Sequence, residues 1–166
     1  QAYELRSVSS GEQLQDARFK QCLVHLQKSR PATWQDLTHA WHHLDPGGRL
    51  LLCGGNELGI TSAVKRLAQE LGQTPRILSN RRRARVVAFE RDGGSGPQPP
   101  EADFFPVHRP PEPAFTLRAD PGVFSARRLD AGSELLLEAL AETAPARRIL
   151  DLGCGAGPLG LAALLR

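Results

Sequence analysis

Residues 147–164 read RRILDLGCGAGPLGLAAL, and this stretch decides the fold. Ile149 and Leu150 close a short apolar strand, Asp151-Leu152-Gly153-Cys154-Gly155-Ala156-Gly157 turns the chain, and Leu159–Leu165 begins a helix. A strand running through a glycine-rich turn into a helix is the first βα unit of an α/β domain. Glycine at three alternate positions lets backbone amides approach a ligand where side chains would collide.

Two cofactor classes use such turns. Gly155-Ala156-Gly157-Pro158-Leu159-Gly160 satisfies the dinucleotide pattern GxGxxG, but it begins late, because the tight turn starts at Gly153. The acidic residue directly before the turn separates the two. A carboxylate at Asp151 suits a cationic, amine-bearing ligand such as the methionine end of S-adenosylmethionine, whereas beside a pyrophosphate it would be repulsive.

Upstream of this unit, GGSGPQPPEADFFPVHRPPEP (93–113) is crowded with glycine and proline and reads as a linker, with Phe104 and Phe105 docking onto a flanking unit. Before it the pattern alternates. Gln21–Leu26 reads as a strand, Thr33 as an N-cap with Asp36 completing a rough capping box, and Trp34, Leu37, Trp41 and Leu44 as one helical stripe. Asp45-Pro46-Gly47-Gly48 stops that helix. Leu50–Cys53 is fully apolar, as in a sheet covered on both faces. Val64, Leu67, Ala68 and Leu71 mark a second helix closed by Gly72, and Gly54-Gly55-Asn56 a turn. Arg76–Leu78 and Val86–Phe89 are two strands joined by Asn80-Arg81-Arg82-Arg83. The order β-α-β-α-β-β is the second half of a doubly wound sheet. The expected organisation is therefore residues 1–92 as part of one α/β domain, 93–113 as linker, and 114–166 as the start of another.

Composition narrows the class. At 40% apolar residues the chain can bury a core, and no apolar run approaches the roughly 20 residues that span a bilayer. The first residues lack the layout of a signal peptide, so a cytoplasmic protein is expected. The three cysteines, Cys22, Cys53 and Cys154, form no CxxC pair and read as buried free thiols; His39, His42 and His43 share a helix without a metal-binding spacing. No metal is expected. Residues 1–92 carry 14 Lys/Arg against 9 Asp/Glu, and the remainder 7 against 9, so the basic excess sits in the first half and is compatible with a polyanionic partner. Arg81, Arg82, Arg83 and Arg85 cluster at the strand-to-strand turn as candidate RNA contacts, with a solvated hairpin tip as the plainer alternative.

PGVFSARRLDAGSELLLEAL (121–140), followed by the glycine loop, resembles the ribosomal RNA small subunit methyltransferase C family, within the wider small-domain methyltransferases. DPGGRLLLCGGNELGITSAVKRLAQELG (45–72) is similar to the late strand-helix portion of that family's degenerate N-terminal domain. The resemblance implies two related Rossmann-like sheets, each only partly covered here. It also implies S-adenosylmethionine as cofactor and methyl transfer to the exocyclic N2 of a guanine in small-subunit (16S) ribosomal RNA. Asp151, Gly153, Gly155 and Gly157 would then line the cofactor site, and Phe124, Ser125 and Asp130 would close over it. The bland alternatives are a core phenylalanine, a turn serine and a helix cap.

The family's Asn-Pro-Pro-aromatic loop has no match: Pro99-Pro100 and Pro110-Pro111 follow Gln98 and Arg109 and lie in the linker. Nor does this chain include the acidic residue expected to hold the cofactor ribose. The chain is therefore expected to be a fragment, inactive alone and monomeric, of an enzyme acting on ribosomal RNA or the small subunit. Three other readings remain open: a large-subunit RNA substrate, a protein glutamine methyltransferase, and a non-catalytic RNA-binding module.

Overall fold

Ser29 starts the first helix: its Oγ accepts the Ala32 N–H at 3.3 Å, and Pro31 in the first turn presets the backbone. In the computed structural model, residues 16–107, 114–125 and 127–166 are described. The opening 15 residues of the expected first domain, the last six of the expected linker (108–113) and Ala126 of the 121–140 segment lie outside them. The chain divides into two units, Gln1–Pro99 and Pro100–Arg166.

In the first unit the elements are β1 (Phe19–His25), α1 (Arg30–His42), β2 (Leu44–Gly55), a 3-10 turn (Asn56–Leu58), α2 (Ile60–Leu71), β3 (Arg76–Arg81) and β4 (Ala84–Glu90). The sheet order is β1-β2-β4-β3, with β1 parallel to β2 and the other pairs antiparallel. Thr33 is not the N-cap. It lies inside α1, buried, and its Oγ1 accepts the Gln27 N–H at 2.8 Å, tying the end of β1 to the helix. Asp36 accepts from the Gln27 side chain instead of closing a capping box. Leu44 is not the end of the helical stripe but the first residue of β2. Asp45–Gly48 loops out as a bulge, since Phe19 pairs with Leu44 but Gln21 with Arg49.

Both helices cover the same face of this sheet. Val24, Leu50, Leu52, Val87 and Phe89 point into one core with Trp34, Leu37 and Trp41 of α1 and Ile60, Val64 and Leu67 of α2. Each such side chain contributes roughly 1.5–3 kcal/mol on burial. Among the described residues the opposite face carries no helix: Leu23 is 73% exposed, and Leu51 and Cys53 are half-buried. The expectation of a sheet covered on both faces is thus not met here, because an apolar run records what a strand can bury and not which layers are present.

Part of the expected linker belongs to this unit. Pro97 is buried and its carbonyl accepts from Thr38 Oγ1 at 3.4 Å, while the Gln98 N–H donates to Glu70 Oε2 at 3.4 Å. Gly96 lies against the Trp41 indole so closely that a Cβ there would collide with it. Residues 93–99 are a strap laid over α1 and α2. Glycine permits the approach, and proline has no amide donor left to satisfy.

The second unit contains β5 (Asp103–Val107), β6 (Phe115–Ala119), α3 (Ala131–Glu142) and α4 (Pro158–Leu164). β5 and β6 form an antiparallel pair, the first of them inside what composition marks as linker. Phe105 and Val107 face the core with Leu117 and Ala119, while Phe104 is exposed; Pro106 is tolerated in so short a ribbon because each strand keeps a free edge. The strand expected at Ile149-Leu150 does not form. Leu150 is 79% exposed, and no described strand lies beside it to complete a hydrogen-bonded ladder.

Candidate functional site

The glycine turn follows from its backbone angles. Gly153, Gly155 and Gly157 have φ of 73°, 57° and 79°, so every second residue of the loop is left-handed. That conformation costs a non-glycine residue roughly 1–2 kcal/mol. A Cβ built on Gly153 or Gly157 meets nothing within 4 Å, so the turn presents bare backbone to open space. Gly157 N–H closes the turn on the Cys154 carbonyl at 2.8 Å.

Asp151 reaches across this loop. Its Oδ2 accepts the Gly160 N–H at 3.1 Å, in the first turn of α4. The N-cap of α4 is Gly157, which has no side chain, and Pro158 has no N–H, so Asp151 supplies the acceptor and the negative charge that the helix start lacks. The sequence pattern assigns this carboxylate to a ligand and gives no sign of its second duty. The spacing of Asp151 to Gly160 carries no local capping signal.

The neighbouring segment is tied by its own side chains. Asp130 is the N-cap of α3: its Oδ1 accepts the Gly132 and Ser133 amides at 3.0 and 3.2 Å, and its Oδ2 accepts the Ser133 hydroxyl at 2.7 Å. The Ser133 hydroxyl first, and then the amides, hold the Asp130 carboxyl below its ordinary range. Ser125 is left-handed, with φ of 56°, and donates its hydroxyl to the Arg128 carbonyl at 2.7 Å. Phe124 is 82% exposed, which excludes a core role within the described residues. Val123 lies 3.6 Å from a Cβ built on Gly155, so the 121–130 segment and the glycine loop touch. Arg127 pairs with Asp103 at 3.2 Å, at the exposed rim of this unit. Glu134 lines a hollow with Arg127, Arg128 and Phe105.

The basic hairpin departs from expectation in two respects. Arg81 pairs with Ala84, so the turn is only Arg82-Arg83, and both are left-handed, with φ of 54° and 57°. That is the geometry of a two-residue hairpin in which Asn-Gly is favoured. Arg81, Arg82 and Arg83 are exposed. Arg85 does not fan outward with them. It shares the core-facing side of β4 with Val87 and Phe89, and it lines a hollow against Lys65 and Gln69 of α2.

Cys22 and Cys53 are half-buried, and burial raises the Cys22 thiol above its usual range; Cys154, expected to be buried, is exposed. Among the described residues no cluster of His, Cys, Asp or Glu could hold a metal ion, and no helix is long and apolar enough to cross a membrane.

Comparison with known proteins adds an independent line. The family described as "Methyltransferase small domain N-terminal" matches residues 1–92, and "Methyltransferase small domain" matches 114–166. A ribosomal RNA small subunit methyltransferase C of Shewanella baltica is 34% identical over 153 residues, covering 91% of this chain and 43% of that protein. The protein of the same name from Pseudomonas putida is 37% identical over 144 residues, covering 86% and 42%. The T. thermophilus 16S rRNA N2 methyltransferase, solved in complex with AdoMet and guanosine, superposes with a TM-score of 0.72 at 28% identity, covering 92% of this chain and 43% of its own. The chain thus spans less than half the length of the relatives it matches.

Proposed function

Because the chain belongs to the methyltransferase small-domain family, in the two-domain arrangement shared with ribosomal RNA small subunit methyltransferase C, we propose that the protein containing it methylates the exocyclic N2 of a guanine in small-subunit ribosomal RNA. The observation that carries this reading is the left-handed alternation of Gly153, Gly155 and Gly157 directly after Asp151. S-adenosylmethionine fits that turn: open backbone accommodates a close-lying ligand, and a carboxylate at its start suits a cationic one. Bound there, the cofactor would supply an electrophilic methyl on a sulfonium.

The chain's own residues have three tasks in this reading. Gly153, Gly155 and Gly157 admit the cofactor to the backbone, and Asp151 both caps α4 and faces it with negative charge. Phe124 and Ser125 lie on the segment that touches the loop through Val123, where an exposed aromatic ring can cover a ligand. Asp130 positions that segment by capping α3. Arg81, Arg82 and Arg83 meet RNA phosphates. The left-handed backbone at Arg82 and Arg83 supports this, since strained residues cluster at functional sites.

The test is methyl transfer by the whole protein to small-subunit and large-subunit ribosomal RNA, followed by nucleoside analysis. N2-methylguanosine formed in small-subunit RNA is the expected outcome. Methylation of large-subunit RNA instead, or none in either, overturns the assignment.

A further inference from the structure

A cavity far in sequence from the glycine loop lies within the first unit. It holds about 150 Å³ between the N-terminal turns of α1 and α2. Gln27 borders it just after β1, and Leu58 and Gly59 just after β2, so it sits outside the carboxyl ends of two parallel strands. That is the position at which open α/β sheets take ligands.

Its walls are specific. The Arg66 guanidinium lies over the Trp34 ring, 3.8 Å from the centroid, and its Nε is pinned by Glu70 Oε1 at 2.8 Å. The Arg66 side chain remains 59% exposed. Trp34 is 4% exposed, and its indole N–H meets no acceptor among the described residues. The α2 start has no side-chain cap and no acidic residue in its first turn, and Ser62 lies there on the cavity wall. Arg30 stands at the border, exposed and without an ion-pair partner among the described residues.

From these features we infer that the cavity takes one unstacked nucleobase of single-stranded RNA. The base stacks on the exposed Arg66 guanidinium, its edge meets the Ser62 hydroxyl and the open α2 amides, and its phosphate meets Arg30. A volume of this order holds a single aromatic ring system but not a whole nucleoside, so the sugar and phosphate stay outside, where Arg30 is. Bases splayed from a single strand are commonly stacked on arginine planes or aromatic rings. The inference rests on the RNA reading above and adds a second point of attachment, on the unit that lacks the glycine loop.

The two tryptophans give the readout, since Trp34 lines the cavity and Trp41 does not. Their indole N–H resonances are followed while the chain is titrated with a single-stranded hexaribonucleotide, and separately with guanosine monophosphate. The Trp34 signal should move saturably with the hexamer while Trp41 stays still. Arg66→Ala and Arg66→Lys should each weaken binding ~10-fold, lysine failing because it keeps the charge and loses the plane. Ser62→Phe, which fills the cavity, should abolish the shift. If the hexamer binds with Trp34 unmoved, or with unchanged affinity in both Arg66 variants, the cavity is not a base site, although the RNA reading survives. Guanosine monophosphate binding as tightly as the hexamer would make it a free-nucleotide site and overturn the inference. No hexamer binding at all would also end it, while methyl transfer by the whole protein separately decides the reading beneath.

Discussion

Asp151 and Gly160 stand nine residues apart and meet across the glycine turn, the carboxylate accepting the Gly160 N–H at 3.1 Å. One side chain thus serves two purposes, holding the start of α4 and placing a negative charge beside an open backbone. The two can be separated because asparagine accepts the same hydrogen bond without the charge.

In the whole protein, Asp151→Asn should leave α4 intact and weaken S-adenosylmethionine binding by about 10–100-fold, the worth of one charge-assisted hydrogen bond. Asp151→Ala should lose both affinity and the cap. Calorimetric titration beside an unfolding curve distinguishes them. Equal affinity in the asparagine variant and the parent would make Asp151 purely structural.

The hairpin tip sets stability against binding. Arg82→Asn with Arg83→Gly supplies residues that accept left-handed backbone, so the unfolding free energy should rise by about 1–2 kcal/mol. RNA affinity should fall. The salt dependence should also flatten, by somewhat under about one unit of log–log slope for each phosphate the variant no longer neutralises. If affinity and slope stay at the parent values, the tip is a solvated turn.

Gly96→Ala should destabilise the first unit by about 1–3 kcal/mol, because the added methyl collides with the Trp41 indole. Urea unfolding followed by tryptophan fluorescence measures it. An unchanged midpoint would mean that the strap lifts without consequence for the core.

Asp130 predicts a pH effect at α3. Its folded pKa is lowered, chiefly by the Ser133 hydroxyl and then by the amides, relative to the unfolded chain. Its support for the helix start is therefore fully present above the unfolded carboxylate pKa and is lost as pH falls through the lower folded value. Amide resonances of Gly132 and Ser133 should shift together across that acidic window, and Asp130→Asn should remove the transition. A Ser133 amide that titrates identically in the variant would place the effect elsewhere.

Much of the molecule is legible in residue patterns. The βαβα order before Gly72, the glycine turn and the cap weighed for Asp130 all follow from periodicity and local chemistry, which act over a few residues. Other features depend on partners distant in sequence. Thr33 has the pattern of a cap, yet Ser29 holds that place four residues earlier and the buried Thr33 hydroxyl serves Gln27. Gly93–Pro99 has the composition of a free linker because its ties run to Thr38, Trp41 and Glu70, none of them near in sequence. Ile149-Leu150 has the composition of a strand, yet strand formation is a property of pairs. Arg85 belongs with its neighbours by sequence, and the alternation of β4 turns it to the opposite side from a solvated tip.

The strap also has a meaning in time. Chains leave the ribosome from the N-terminus at about 5–20 residues per second, and domains tend to fold as they emerge. Every described core residue of the first unit, from Val24 to Phe89, precedes Pro97 and Gln98, whose docking on Thr38 and Glu70 completes that unit. Asp151 and the glycines follow more than fifty positions later. The first unit can therefore close, strap included, seconds before the last glycine of the turn is joined to the chain.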